Sequence, residues 1–194
     1  MPGPDLPAGE WLGTLPSPTA LSHATGGEAS PQALAANVLA PQIRAYAEGG
    51  CGLIVLSDPF LAGSDKVVEL VASLRELPDD VPLALQLPFG DASSVLAELA
   101  DAPVTALGID FYATSLDAIP ESYPKEIMAG VIDSRSSALE DPAEIGRFAA
   151  ALSERRPAGV SLSVSGDLQF VPEAIARRKL GVLGAARAAL AEAA

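Results

Sequence analysis

Six short polar clusters carry the residues that could do chemistry, and each follows directly on an apolar run. In chain order they are Pro16-Ser17-Pro18, Ser57-Asp58-Pro59, Gln86 to Asp91, Asp110-Phe111-Tyr112, Asp133 to Ser137 and Ser165 to Gln169. Asp58, Asp110, Asp133 and Asp167, crowded at one mouth, would raise one another's pKa, and such shifts suit proton transfer or the binding of a cation or an amine. Taken singly, each aspartate reads first as a helix cap or turn residue. The convergence of four carries more weight than any one. Arg135 signals something else, because a permanently charged fork suits bidentate capture of a carboxylate or phosphate and cannot shuttle a proton. Its competing use is an ion pair with Asp133 or Asp167. The ligand-binding candidates are therefore Ser57, Asp58, Gln86, Asp110, Asp133, Arg135, Ser136, Asp167 and Gln169, with no catalytic residue assigned.

The remaining reactive side chains offer less. His23, the one histidine, falls in the glycine-containing stretch Ser22–Ser30, which reads as a solvated loop. A Ser-His-Asp arrangement would have to use it, and nothing local supports that. Cys51 opens an apolar run beside glycines and reads as a small buried hydrophobe. The basic runs Arg155-Arg156 and Arg177-Arg178-Lys179 read as solvated helix faces.

The elements that must position these clusters alternate between short β-branched runs and longer helical patterns, the signal for βα units around a parallel sheet. Strands are expected at Trp11–Leu15, Gly52–Ser57, Leu83–Leu87, Val104–Asp110, Ile127–Asp133 and Val160–Val164. Most are nearly continuous apolar runs, as in strands covered on both faces. In such folds ligands meet the carboxyl ends of the strands, which is where the six clusters lie. Asp141-Pro142-Ala143-Glu144 starts a helix with an acidic cap and an N1 proline, and Ile145, Phe148, Ala149 and Leu152 form its apolar stripe. Ser64 reads as the cap of a helix with Val67, Leu70, Val71 and Leu74 inward, stopped near Pro78. A third helix runs from Ser30-Pro31 to Gly49-Gly50 with a kink at Pro41. The last starts near Pro172, with Ile175, Leu180 and Leu183 inward.

The chain has 194 residues, the length of a single domain, and its hydrophobic fraction of 49% is that of a folded protein. A complete (β/α)₈ barrel takes roughly 250 residues, about 31 per unit, so six units make about three quarters of one. No G-x-G-x-x-G follows any strand, which leaves a dinucleotide-binding open sheet without support. The fold expected is α/β, an incomplete barrel of six parallel strands, with residues 1–10 as a flexible arm. A formal charge of −13 repels nucleic acid and anionic lipid. One cysteine and one histidine cannot build a structural zinc site, and the lone thiol fits a reducing compartment. With neither a leader-like start nor a span-length apolar run, a cytoplasmic location is expected.

Taken together, the clusters resemble the C-terminal catalytic barrel of the cobalamin-independent methionine synthases, in the superfamily shared with uroporphyrinogen decarboxylase. Leu15-Pro16-Ser17-Pro18-Thr19 is similar to that family's L-T-G-P-V turn, and Ile54 to Leu61 to its I-Q-I-D-E-P-A-L strand. Gln86-Leu87-Pro88-Phe89-Gly90 stands where the family has H-x-C-Y-G. Gly130 to Ser136 matches G-V-x-D-x-H-S, and Val164 to Leu168 stands at P-D-C-G-L. The resemblance runs from about Trp11 to Leu190 and aligns the six strands with strands 3–8 of the family barrel.

It implies methyl transfer from a methyltetrahydrofolate to homocysteine, with the thiol activated by zinc held on one His, two Cys and one Glu. The corresponding positions here are Gln86, Pro88, Gly166 and Asp110. Proline and glycine side chains offer a metal no donor, so zinc is not expected. A folate enters only through the resemblance. The family's histidine in D-x-H-S is Arg135, which cannot give up its proton, and the first acid of D-E-P is Ser57. The expectation is a divergent, zinc-free barrel that binds a small carboxylate or amine ligand at the strand ends, with no reaction assigned. If it is an enzyme, the resemblance makes it methyltransferase-like. One alternative is a non-catalytic subunit. Another is a homocysteine methyltransferase that relies on a partner for metal. The first and last strands would keep unpaired edges, so a homo-oligomer or a partner chain completing the barrel is expected, and no nucleic acid or membrane.

Overall fold

The computed structural model describes residues 11–193, and the expected N-terminal arm, residues 1–10, lies outside them. Six parallel strands form one sheet in the order of the chain: β1 (Leu12–Pro16), β2 (Leu53–Ser57), β3 (Leu83–Leu87), β4 (Ala106–Asp110), β5 (Glu126–Ile132) and β6 (Gly159–Val164). Each new strand adds on the same side, the order of an arc of barrel rather than of a doubly wound sheet. The expected strands hold to within two residues at every end.

Helices α1 (Pro18–Ala24), α2 (Pro31–Leu34), α3 (Ala40–Glu48), α4 (Val67–Leu74), α5 (Leu96–Leu99), α6 (Pro142–Glu154) and α7 (Glu173–Ala193) pack around the arc. The core is a continuous aliphatic cluster that includes Ile43, Ile54, Leu56, Leu70, Leu85, Leu107, Ile127 and Leu152. β4 is buried throughout, β1 alternates between exposed and buried, and all six residues of β6 are half-buried. Among the described residues, β6 pairs with β5 alone, and β1 with β2 alone. Gly130 sits where β5 loses its regular register with β6, and a β-carbon there would stand 2.9 Å from Ser165 Cα. Only glycine lets the two backbones approach that closely.

One local expectation is refined and three are corrected. The irregularity expected at Pro41 takes the form of one π-helical turn, Ala35–Leu39, which joins α2 to α3 directly ahead of the proline. The chain stays helical through the join, and Pro41 falls in the first turn of α3 just after the wider turn. Helix α4 starts at Val67, and Ser64 Oγ accepts the Lys66 N–H (3.1 Å) in the turn before it. His23 lies in the last turn of α1, which Ser17 caps by accepting the Ala20 N–H, and not in a loop. In α7, Leu180 is 53% exposed while Lys179 is fully buried. The inward stripe of α7 runs through Ile175, Lys179, Leu183 and Ala186, spacings of 4, 4 and 3, which leaves Leu180 on the outer side. Lys179 therefore leaves the set of solvated cations.

Helix α6 forms as read. Asp141 caps it by accepting the Ala143 N–H (2.8 Å), and Ile145, Ala149 and Leu152 are buried with Phe148 packed beside them.

Candidate functional site at the strand ends

The carboxyl ends of the strands form two polar groups separated by an aromatic centre. In the first, the Asp58 carboxylate is buried behind β2, and Oδ2 accepts the Ser17 hydroxyl (2.5 Å) and the Thr19 hydroxyl. Its Oδ1 accepts the Phe60 N–H (3.0 Å). Ser57 takes part through its backbone, accepting the Ser17 N–H (2.9 Å). Asp58 thus ties the β1–α1 turn to β2, with its lone pairs engaged by neutral donors.

The second group gathers Asp110, Asp133 and Arg135 at the ends of β4 and β5. Asp110 is fully buried. Its Oδ1 accepts the Tyr112 N–H (2.9 Å), and Oδ2 lies 3.4 Å from Arg135 Nη2. Burial holds its pKa above the ordinary value, against the pull of the Tyr112 N–H and of Arg135, with Asp133 pushing it up further. Asp133 Oδ1 accepts the Arg135 N–H (2.9 Å) and lies 3.6 Å from Nε. Arg135 is thus clamped between two carboxylates, yet its side chain keeps 46% of its surface, and Nη1 has no partner among the described residues. Ser136 Oγ accepts the Ala138 N–H (3.2 Å) in the same loop, and the buried Ser134 and Ser165 hydroxyls pair at 3.1 Å.

The expected crowd of four acids is not what the structure brings together. Asp110 and Asp133 share one cation, Asp58 is occupied with its own turn, and Asp167 stands exposed with Gln169. Gln86 reaches across the arc from β3, donating its Nε2 to Val164 O at the end of β6 (3.2 Å).

Phe89 fills the centre. Its backbone is left-handed (φ 63°), a conformation costing a non-glycine residue about 1–2 kcal/mol. The ring lies against Gly166, edge-on to Phe170 at 5.6 Å, and beneath the Arg135 guanidinium at 5.2 Å. Sequence reasoning missed Phe89, as it missed Glu140. Glu140 Oε1 collects the Lys179 ammonium (2.7 Å), the Asp133 N–H (2.9 Å) and the Tyr112 hydroxyl (3.3 Å), while Oε2 is buried without a partner among the described residues. The α7 stripe carried the available signal, since stepping four residues from Ile175 lands on Lys179. Beside Glu140, a cleft of about 280 Å³ opens between Phe111, Tyr112 and the start of α6.

No family model matches the chain. A 5-methyltetrahydropteroyltriglutamate–homocysteine methyltransferase of Mycobacterium tuberculosis is 30% identical over 132 residues, which is 61% of this chain and 17% of the relative. That of Mycobacterium leprae is 35% identical over 81 residues, 40% of this chain and 11% of the relative. Among solved structures, a B12-independent methionine synthase from a Shewanella species superposes with a TM-score of 0.71 at 16% identity. That match takes in 93% of this chain and 62% of the other. A methyltransferase from Methanosarcina mazei superposes at 0.63 and 16% identity, over 94% of this chain and 60% of its own.

In sequence and in fold, the chain resembles the cobalamin-independent methionine synthases. The six-stranded arc is thus a partial methionine-synthase-like barrel, and the chain matches about a sixth or less of the length of these mycobacterial relatives. The zinc that the resemblance implies does not fit the residues at its place. Pro88 and Gly166 bring no donor, the Gln86 amide is spent on Val164, and Asp110 faces Arg135. Among the described residues, no three His, Cys, Asp or Glu side chains are grouped to hold a metal ion.

Proposed function

We propose that this methionine-synthase-like barrel binds a small carboxylate-bearing molecule at the strand ends, with Arg135 as its anion receptor and no reaction assigned. One observation carries the reading: a guanidinium anchored on two carboxylates, half in solvent, with Nη1 free among the described residues. A fork held in this way loses little rotamer freedom when it closes on a second carboxylate. The geometry favours an acid over an amine, because Asp110 and Asp133, which an ammonium group would need, already face Arg135. Native mass spectrometry of the chain purified from its own host is expected to show a retained small acid. Arg135→Ala should weaken its binding at least tenfold, on the order of the 1.5–3 kcal/mol of a charge-assisted hydrogen bond. Unchanged retention in both Arg135→Ala and Asp133→Ala would sink the reading.

A second reading rests on the edges of the sheet. Half-buried β6 and the groove of about 470 Å³ between it and α7 suit a partial barrel that complements a partner chain or a further copy. A stable monomer with no co-purifying chain counts against it. The names of the mycobacterial relatives support a third, homocysteine methylation with metal supplied by a partner, which predicts an activity abolished by chelator.

A further inference from the structure

We infer that the cleft between the end of β4 and the start of α6 is a second binding site, for a small organic ammonium ion with an apolar body: its walls are aromatic, its rim is acidic, and one carboxylate oxygen in its lining residues lacks a donor. This site is separate from the carboxylate receptor at Arg135, and its ligand has the opposite charge.

Three observations meet in this cleft of about 280 Å³. Its floor and walls are apolar: Val131 and Ile145 are buried, and Phe111 and Phe148 meet edge to face at 4.8 Å. Aromatic rings carry negative faces, so walls of this kind take an apolar stem and attract a cation. The charged groups in the lining are all of one sign, Glu140, Asp141 and Glu144, with no basic side chain among them. Finally, Glu140 Oε2 is buried without a partner among the described residues, although Oε1 of the same carboxylate holds the Lys179 ammonium at 2.7 Å. A buried polar atom left without a partner is uncommon in a native fold and marks a place where a donor is missing.

The competing occupant is an anion, drawn by the N-terminus of α6. That end already has its negative charges: Asp141 caps the helix by accepting the Ala143 N–H at 2.8 Å, and Glu144 stands in the first turn. The two nearby cations do not reverse the sign of the lining. Lys179 is spent on Glu140 Oε1 and on Ala138 O (2.6 Å), and it lies outside the lining. Arg147 meets Glu144 at 3.8 Å with the two side chains 69% and 72% exposed, a pair that water screens. An ammonium ion would thus find Asp141 and Glu144 at the rim and aromatic rings around its stem. A neutral ligand would forgo the rim, and a carboxylate would meet three like charges.

Three probes with one apolar body test this on the whole unmodified chain: phenethylammonium chloride, phenethyl alcohol and sodium phenylacetate, each followed by amide NMR. The ammonium is expected to shift the Glu144, Ile145 and Phe148 amides saturably, with a Kd of about 1–10 mM, the scale of a few weak contacts. The alcohol should bind there about fivefold more weakly, having lost the cation–π and rim contacts. Phenylacetate should leave those three amides unmoved. Asp141→Asn combined with Glu144→Gln removes both rim charges, and because asparagine caps a helix as well as aspartate, α6 is retained. That double variant should weaken the ammonium about three- to tenfold, the loss of two exposed charge contacts, and leave the alcohol where it was. Equal affinity for alcohol and ammonium, phenylacetate binding at these amides, undiminished ammonium binding in the double variant, or no saturable shift at all would each overturn the inference. Arg135 plays no part in these measurements, so their failure would leave the carboxylate reading standing.

Discussion

Asp58 and Asp110 occupy comparable places, each buried at the carboxyl end of a central strand, and the structure uses them in opposite ways. Asp58 accepts two hydroxyls and an amide from its own loop and from the neighbouring β1–α1 turn. Asp110 accepts one amide and faces a guanidinium at 3.4 Å across a half-open mouth, with burial raising its pKa. The comparison teaches that a buried carboxylate is defined by its donors. Neutral donors close in on Asp58 and turn it into a structural joint, whereas a solvent-facing cation leaves Asp110 part of a surface that can still respond.

The comparison can be broken most forcefully behind the β4–β5 side, where the charges are buried. Lys179→Ala leaves the Glu140 carboxylate without its counter-ion, and urea denaturation should show a loss of about 3–5 kcal/mol, the range for breaking a buried pair. On the β1–β2 side, Asp58→Ala strands the Ser17 and Thr19 hydroxyls and the Phe60 N–H, with an expected loss of about 2–3 kcal/mol and no change in what the mouth binds.

Arg135→Ala should cost less than about 1 kcal/mol, because the side chain is nearly half exposed and screened. It should nevertheless move the Asp110 titration further up, observable by carboxyl NMR, since Arg135 is one of the groups holding that pKa down. The sign for stability follows. A folded carboxyl with a raised pKa binds more protons than the unfolded one, so its contribution is present at low pH and is lost as pH rises from 3.8 through the folded value. Asp110→Asn should abolish that decline, and an unaltered pH profile would refute the assignment. A similarly small effect belongs to Tyr112→Phe, about 0.5–1 kcal/mol for the hydroxyl shared with Val131 O and Glu140. In the unmodified chain, burial first and Glu140 second push the Tyr112 hydroxyl up to about 12, which an alkaline ultraviolet titration would detect.

Much of the fold was legible because its signals are local. Apolar runs gave the strands, and the Asp141-Pro142 start and its stripe gave α6. The strand-end clusters located the mouth, because parallel sheets put their loops there. What escaped reading depends on contacts far apart in sequence. Nothing near Asp58 announces that Ser17 and Thr19 will claim it, and the run Arg177-Arg178-Lys179 looks solvated until the α7 stripe is counted from Ile175. Phe89 was hidden for the same reason: its contacts with Gly166, Phe170 and Arg135 join distant parts of the chain, which composition and periodicity do not record.

The Glu140 oxygen described above joins three parts of the chain: the ammonium of α7, the amide of Asp133 in the loop that carries Arg135, and the phenol behind β4. That node makes the final helix and the mouth one cooperative unit. In amide hydrogen exchange, the Asp133 N–H should open with the α7 amides near Lys179 rather than with those of β5, and a cut that frees α7 should release the Arg135 loop in the same event.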